Sequence, residues 1–263
     1  MERKTTIMKM ISFCNKKGGV GKTTLCKNVA YKFALDGAKV LLIDLDPQAT
    51  LSVQFYTNKI VKDITLLKLF GGFNVGINNI IQSTKYKNID IVIGGEELTK
   101  SSAILNNLYS KDKIYKIGKN IFDSFNNIFL KYDYVLIDYP PTVLELALNF
   151  LIISDLIIMP INNGLGAFKG VLDLKNTLNH ICRQENINVP SLKIVFNNVK
   201  EDEDTIEIYK LLENEELNNN LLQSVITNSK SFIKTENKLS NIWENVYYWR
   251  QKQAYEELIK EIK

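Results

Sequence analysis

A chain of 263 residues with 45% hydrophobic and 24% charged residues has the composition of an ordinary globular protein and the length for one well-buried core, so a single domain spanning 1–263 is the expectation. Its net charge of +4 permits contact with a polyanion but falls short of the charge density of a dedicated nucleic-acid module. Three scattered cysteines, Cys14, Cys26 and Cys182, form no CxxC pair, which argues against a zinc site, an iron–sulfur cluster or a redox dithiol and for buried thiols in a reducing, cytoplasmic setting.

The opening MERKTTIMKMISFC has a partial likeness to a signal peptide, but Lys9 splits its apolar run and NKKGG follows where a small-residue cleavage site would stand. A first β-strand is the better reading. From there short β-branched runs, MKMISFC, KVLLID, IDIVIG, YVLID, DLIIMPI, LKIVFN and LQSVI, alternate with segments of helix length. That alternation predicts an α/β fold, a doubly wound and mainly parallel sheet with helices on both faces. Residues 40–43 and 135–137 are apolar throughout, as strands covered on both sides are.

In the first helix Leu25, Val29 and Phe33 share a face, and Gly37 supplies a left-handed stop. Between 57 and 131 the pattern is mostly helical and rich in Asn and Lys, with neither proline nor a Gly/Ser linker to mark a boundary. The most apolar stretch, 143–161, is interrupted by Glu145, Asn149, Asp155 and Pro160. It therefore lacks the roughly 20 clean apolar residues of a membrane span and reads as a core helix followed by a core strand. His180, the sole histidine, has no acid or serine pattern around it and reads as a surface or helix-packing residue.

The chemistry gathers between the first strand and the first helix, in Lys17-Gly18-Gly19-Val20-Gly21-Lys22-Thr23-Thr24. Backbone N–H groups and a helix start converge there on a phosphate, and glycines let the chain wrap closely. Lys22 would reach the β- and γ-phosphates and the Thr23 hydroxyl would bind Mg²⁺. A strict GxxxxGK[ST] pattern fails, because Lys16 stands at its first glycine and a second lysine, Lys17, enters the loop. With Lys22 already serving its own loop, Lys17 is read as reaching a nucleotide held by another subunit.

A dinucleotide-binding turn is the rival, with Gly19-Val20-Gly21 starting GxGxxG and Asp44 about 20 residues on. Its third glycine is Thr24, however, and it has no use for Lys22-Thr23. Two acidic sites follow at predicted strand ends, Asp44-Leu45-Asp46 and Asp138-Tyr139-Pro140. Asp138 suits the carboxylate that steadies the Mg²⁺ hydration shell, Asp46 the orientation of an attacking water, and Asp44 the support of its loop. Either site alone could equally be a helix cap.

KKGGVGKTT, then VLLIDLDPQAT, then YDYVLIDYPPTVLELAL, in this order, resemble the ParA and MinD group of deviant Walker ATPases, with DLDPQAT pointing to the ParA side. The likeness extends through SDLIIMPINNGLGAFKGVLDL to the C-terminal AYEELIKEI. With only about 14 residues ahead of the loop, the chain is similar to the Soj-like short form without an upstream helix-turn-helix unit. The resemblance implies an ATP sandwich homodimer in which Lys17 touches the partner's nucleotide, ATP-dependent non-specific DNA binding on the nucleoid, and hydrolysis stimulated by a ParB-like centromere-binding protein. It also places adenine near KIVFNNV, making Asn197 a candidate there, although a strand-end Asn bonding backbone fits as well. Relatives usually carry a proline and an arginine where this chain has Val225-Ile226-Thr227-Asn228.

Lys230, Lys234 and Lys238 recur at i, i+4 spacing, which aligns three ammonium groups either as a DNA-phosphate contact or as a solvated helix face. In the C-terminal segment Trp243, Val246, Tyr247, Leu258 and Ile262 fit helices packed on the sheet. Glu256, Glu257 and Glu261 argue against a lipid-binding anchor, so no membrane partner is expected. Two other readings stand beside the DNA-positioning ATPase: a MinD-like membrane-positioning ATPase, and a nucleotide-gated regulator that barely hydrolyses ATP.

Overall fold

Val40-Leu41-Leu42-Ile43 and its counterparts are apolar on both sides because both sides are covered. In the computed structural model, which describes residues 8–55, 66–71, 76–200 and 202–263, odd and even positions of one strand serve two different cores. Leu41 and Ile43 join Val135, Ile137, Ile157 and Met159 beneath the helices of one face. Val40 and Leu42 join Leu136, Ile158 and Leu25, Val29 and Phe33 on the other.

The elements run β1 (Lys9–Phe13), α1 (Lys22–Leu35), β2 (Val40–Asp44), α2 (Thr50–Phe55), α3 (Leu67–Phe70), α4 (Ile77–Ile80), β3 (Ile81–Ser83), β4 (Ile89–Val92), α5 (Ser101–Leu108), α6 (Ile117–Ser124), α7 (Asn126–Phe129), β5 (Tyr134–Asp138), α8 (Glu145–Leu151), β6 (Leu156–Ile161), α9 (Leu165–Glu185), β7 (Ser191–Val199), α10 (Glu203–Asn214), β8 (Leu221–Thr227), α11 (Lys230–Asn237) and α12 (Trp249–Ile262). The first seven residues, and 56–65 and 72–75 of the Asn/Lys-rich stretch, lie outside the described residues.

The sheet order is β3-β4-β2-β5-β1-β6-β7-β8, and every pairing is parallel except β3 with β4. All seven runs singled out in the sequence are strands. The eighth, β3, is a three-residue antiparallel edge strand whose Ile-Gln-Ser carries too little pattern to announce itself. Because β1 sits centrally with β5 and β6 on either side, the carboxyl edge beside it forms the crevice in which ligands of open α/β sheets are held.

The C-terminal segment both confirms and corrects its reading. Tyr255, Leu258 and Ile262 of α12 are buried, and the Glu261 carboxylate accepts hydrogen bonds from the backbone N–H groups of Gln223 and Ser224 on β8, each at 2.8 Å. Trp243 is half-buried and donates its indole N–H to the Asn28 carbonyl at 3.0 Å. Val246 and Tyr247, however, are 77% and 84% exposed and do not pack on the sheet. Asn241 and Asn245 cap successive 3₁₀ turns, breaking the segment into tight turns that rotate those two side chains into solvent.

Candidate functional site

The loop after β1 owes its shape to two glycines in the left-handed region, Gly19 at φ 75° and Gly21 at φ 87°. Between them Val20 is fully buried and pins the loop to the core. Lys22 opens α1, is nearly buried, and donates from Nζ to the Lys17 carbonyl at 3.1 Å. Burial pulls its pKa below the ordinary lysine value, opposed by Cys14, Asp138 and Asp46.

The three lysines of the loop go separate ways. Lys16 reaches α9, donating to the Thr177 hydroxyl at 2.7 Å. Lys17 is exposed, with its side chain running past Gly166 at the start of α9. Only Lys22 is turned inward toward the loop's own cradle.

Asn15, which the sequence reading passed over, organises this divergence. Its side chain is buried, donates to the carbonyls of Pro160 and Ala167 at 2.8 and 3.1 Å, and accepts from the Lys17 N–H at 2.9 Å. It thereby ties the loop to the end of β6 and the start of α9. Its only signal was a lone amide between an apolar strand and a lysine pair.

Parallel register aligns the carboxylates, with Asp44 and Asp138 as Cα partners across β2 and β5 and Phe13 of β1 opposite Asp138. Asp44 is buried and turned to its own loop, accepting from the N–H of Asp46 at 3.0 Å and from the N–H and hydroxyl of Ser52 at 2.8 and 2.7 Å. Ser52 in turn accepts from the Gly94 N–H at 2.9 Å, and a side chain at Gly94 would collide with the Asp46 carbonyl. Ser52 and Gly94 were likewise invisible to pattern reading, since neither falls in a motif. Asp46 is half-buried and accepts from the Gln48 N–H at 2.9 Å.

Asp138 is fully buried like Asp44, but neither of its carboxylate oxygens is hydrogen-bonded. Burial and then the neighbouring Asp44 push it well above the carboxylate range, with Thr23 and Lys22 acting in the opposite direction. Two orphaned buried oxygens beside the Thr23 hydroxyl are a poor resting arrangement for an apolar core, and they fit a hydrated Mg²⁺, an ion that takes few ligands from protein and the rest from phosphate and water.

On the other side of the loop Asn197 of β7 is buried and donates to the Val20 carbonyl at 2.7 Å. It also lines a cavity of about 200 Å³ with Gly19, Gly21, Thr24, Asn228 and Phe232. The backbone bond is the second of the two roles weighed for it, and the cavity beside it is where the first would be played. Lys230 and Lys234 lie exposed on α11, and exposed Lys238 sits at its C-cap rather than within it.

A glycine-turned loop leading into a helix that begins Lys-Thr, at the carboxyl edge of a parallel sheet with strand-end carboxylates beside it, defines a P-loop nucleoside triphosphatase. The family model described as an AAA domain matches residues 8–194. The chain belongs to this family as a ParA-type ATPase. It is 28% identical over 244 residues to the virulence plasmid ParA family protein pGP5-D of Chlamydia psittaci, covering 90% of this chain and 89% of that one. In fold it is similar to apo McdA of Cyanothece, with a TM-score of 0.83 at 18% identity over 97% and 99% of the two chains. The septum site-determining protein MinD of Pyrococcus horikoshii, solved with Mg-ADP, gives 0.72 at 20% identity over 98% and 96%.

Proposed function

We propose that the protein is a Mg²⁺-dependent ATPase that dimerises around ATP, binds DNA non-specifically in that state, and positions a plasmid or chromosome. Hydrolysis, stimulated by a ParB-like centromere-binding protein, resets it. The observation that carries this reading is the divergence of Lys17 and Lys22: one loop supplies a buried ammonium for its own phosphates and an exposed one for a second subunit.

In this scheme Lys22 leaves the Lys17 carbonyl for the β- and γ-phosphates, and the N–H groups of 18–24 cradle them. Thr23 offers its hydroxyl and Asp138 its unpartnered oxygens to hold Mg²⁺, which when bound neutralises phosphate charge. Asp46 orients the attacking water, and Asp44 acts through the loop it braces. Asn197 keeps the loop in register while forming one wall of the nucleoside-side cavity. Lys230, Lys234 and Lys238 meet DNA phosphates, giving a dissociation constant on the order of 10⁻⁴ to 10⁻⁶ M that weakens steeply with salt.

The test is a set of three variants followed by light scattering and phosphate release. Lys22→Ala loses ATP binding, Lys17→Ala binds ATP as a monomer without forming the stable dimer, and Asp46→Ala accumulates as an ATP dimer. A Lys17→Ala protein that dimerises and turns over normally rules out the second-subunit role. Turnover measured with and without DNA separates this reading from a nucleotide-gated regulator. Pelleting with liposomes in the absence of DNA binding would instead favour a membrane-positioning ATPase.

A further inference from the structure

The edge strand β8 is covered on one side only. Its Leu222, Ser224 and Ile226 are buried, and Leu222 and Ile226 share a core with Leu258 and Ile262 of α12. The alternate residues Leu221, Gln223, Val225 and Thr227 face the other way, the first half-buried and the rest exposed. On that side Ile208 and Leu212 of α10 join Ile194 and Phe196 of β7 in the opposite core, but the helical layer stops there. In a sheet whose other parallel strands are sheathed on both faces, β8 is where a covering helix is missing.

What is left is a groove of about 550 Å³ between α10 and β8, with Phe196, Ile206, Tyr209, Leu221 and Val225 among its walls. Ile206, Tyr209 and Val225 are 56%, 41% and 40% exposed, and together they form a contiguous apolar patch rather than scattered single residues.

The surroundings of the groove are acidic. Eight of the residues 201–216 are Asp or Glu and one, Lys210, is basic, although the whole chain carries a net charge of +4. Asp202, Ile206, Tyr209 and Glu213 follow at i, i+4, i+7 and i+11, so the two apolar side chains sit between carboxylates on one stripe of α10. Among the described residues none of these acids is in an ion pair. Such a surface repels a nucleic-acid strand and an anionic membrane alike. An added β-strand is opposed at the border, where Glu261 already takes the N–H groups of Gln223 and Ser224. A helix with one apolar face and lysine or arginine flanks satisfies both the groove and the charge around it.

We propose that α10 and β8 form a docking groove for a basic amphipathic helix of a partner protein, which completes the helical layer over β8. No residue is common to this groove and the nucleoside-side cavity, so docking is indifferent to nucleotide. The proposal goes beyond the ATPase reading and stands or falls apart from it.

The probe is a labelled helical peptide with leucines on one face and lysines on the other, titrated with the unaltered protein and followed by fluorescence anisotropy. It binds with and without ATP, and its counterpart with glutamates in place of the lysines does not. Ile206→Ser combined with Tyr209→Ser weakens binding about tenfold. Val225→Lys, on the opposite wall, does the same and keeps the test open should the first variant fold poorly. Glu203→Lys combined with Glu213→Lys reverses the preference, lowering affinity for the lysine peptide and raising it for the glutamate peptide. The proposal is overturned if the unaltered protein binds neither peptide or both equally, or if variants with the parent's thermal midpoint bind the lysine peptide as tightly as the parent. It is overturned equally if the protein alone self-associates in sedimentation velocity and these substitutions abolish that, since the groove then holds a second copy.

Discussion

Asn197 at the carboxyl end of β7 hydrogen-bonds the Val20 carbonyl at 2.7 Å, fastening the phosphate loop to a strand two places away from the one that launches it. Its amide also fills the space a side chain at Gly21 would need, 2.1 Å from such a Cβ. Removing the donor leaves a buried carbonyl unpaired, a cost of about 1–3 kcal/mol. Asn197→Ala should therefore weaken nucleotide binding about tenfold by calorimetric titration; unchanged affinity would mean that the loop is held by other means.

Gly170 lies inside α9, where alanine would ordinarily be favoured over glycine by about 1 kcal/mol. Here an added Cβ would stand 2.1 Å from Asn15 Oδ1 and 3.2 Å from the Lys17 backbone nitrogen. Asn15 cannot retreat without giving up its bonds to Pro160, Ala167 and Lys17. Gly170→Ala should lower urea stability by about 1–3 kcal/mol despite the helix gain, and a stabilised variant would contradict the clamp.

Cys14, Cys26 and Cys182 are free and buried. Burial pushes the Cys14 thiol up to about 12 and raises the other two as well. At pH 8 a thiol-specific colorimetric reagent should find no reactive group in the native protein and all 3 cysteines after guanidinium unfolding. Rapid native labelling would place at least one thiolate at the surface.

Lys27 of α1 is buried, its Nζ 3.5 Å from the Ser240 carbonyl, and burial lowers its pKa from 10.5 to about 8, with Glu236 opposing. Between those values the unfolded chain holds the proton and the folded one releases it. Stability from this group thus rises as pH climbs from about 8 toward 10.5, and the penalty is complete below 8. Lys27→Met should raise thermal stability at pH 7, on the order of 2 kcal/mol, and the gain should shrink at pH 10. A gain independent of pH would assign the effect to packing alone.

The elements that hold the site were legible because each carries a local signal: uninterrupted apolar runs for β2 and β5, one apolar face and a terminal glycine for α1, and a glycine-lysine loop between strand and helix. What escaped depends on contacts distant in sequence. Asn15 matters because Pro160 and Ala167 come to it, and Ser52 because Asp44 and Gly94 flank it in space. Val246 and Tyr247 were misplaced for a different reason. Their apolar character suggested burial, whereas the asparagines before them set the backbone, and short polar caps outweigh side-chain hydrophobicity where no regular helix forms.

Glu261 guards part of the sheet's border. By engaging two consecutive N–H groups of β8 with one carboxylate, α12 occupies two donors to which another molecule's strand could otherwise add. Sheet extension at that point of the rim is thus opposed, and a C-terminal truncation short of residue 261 should free both groups.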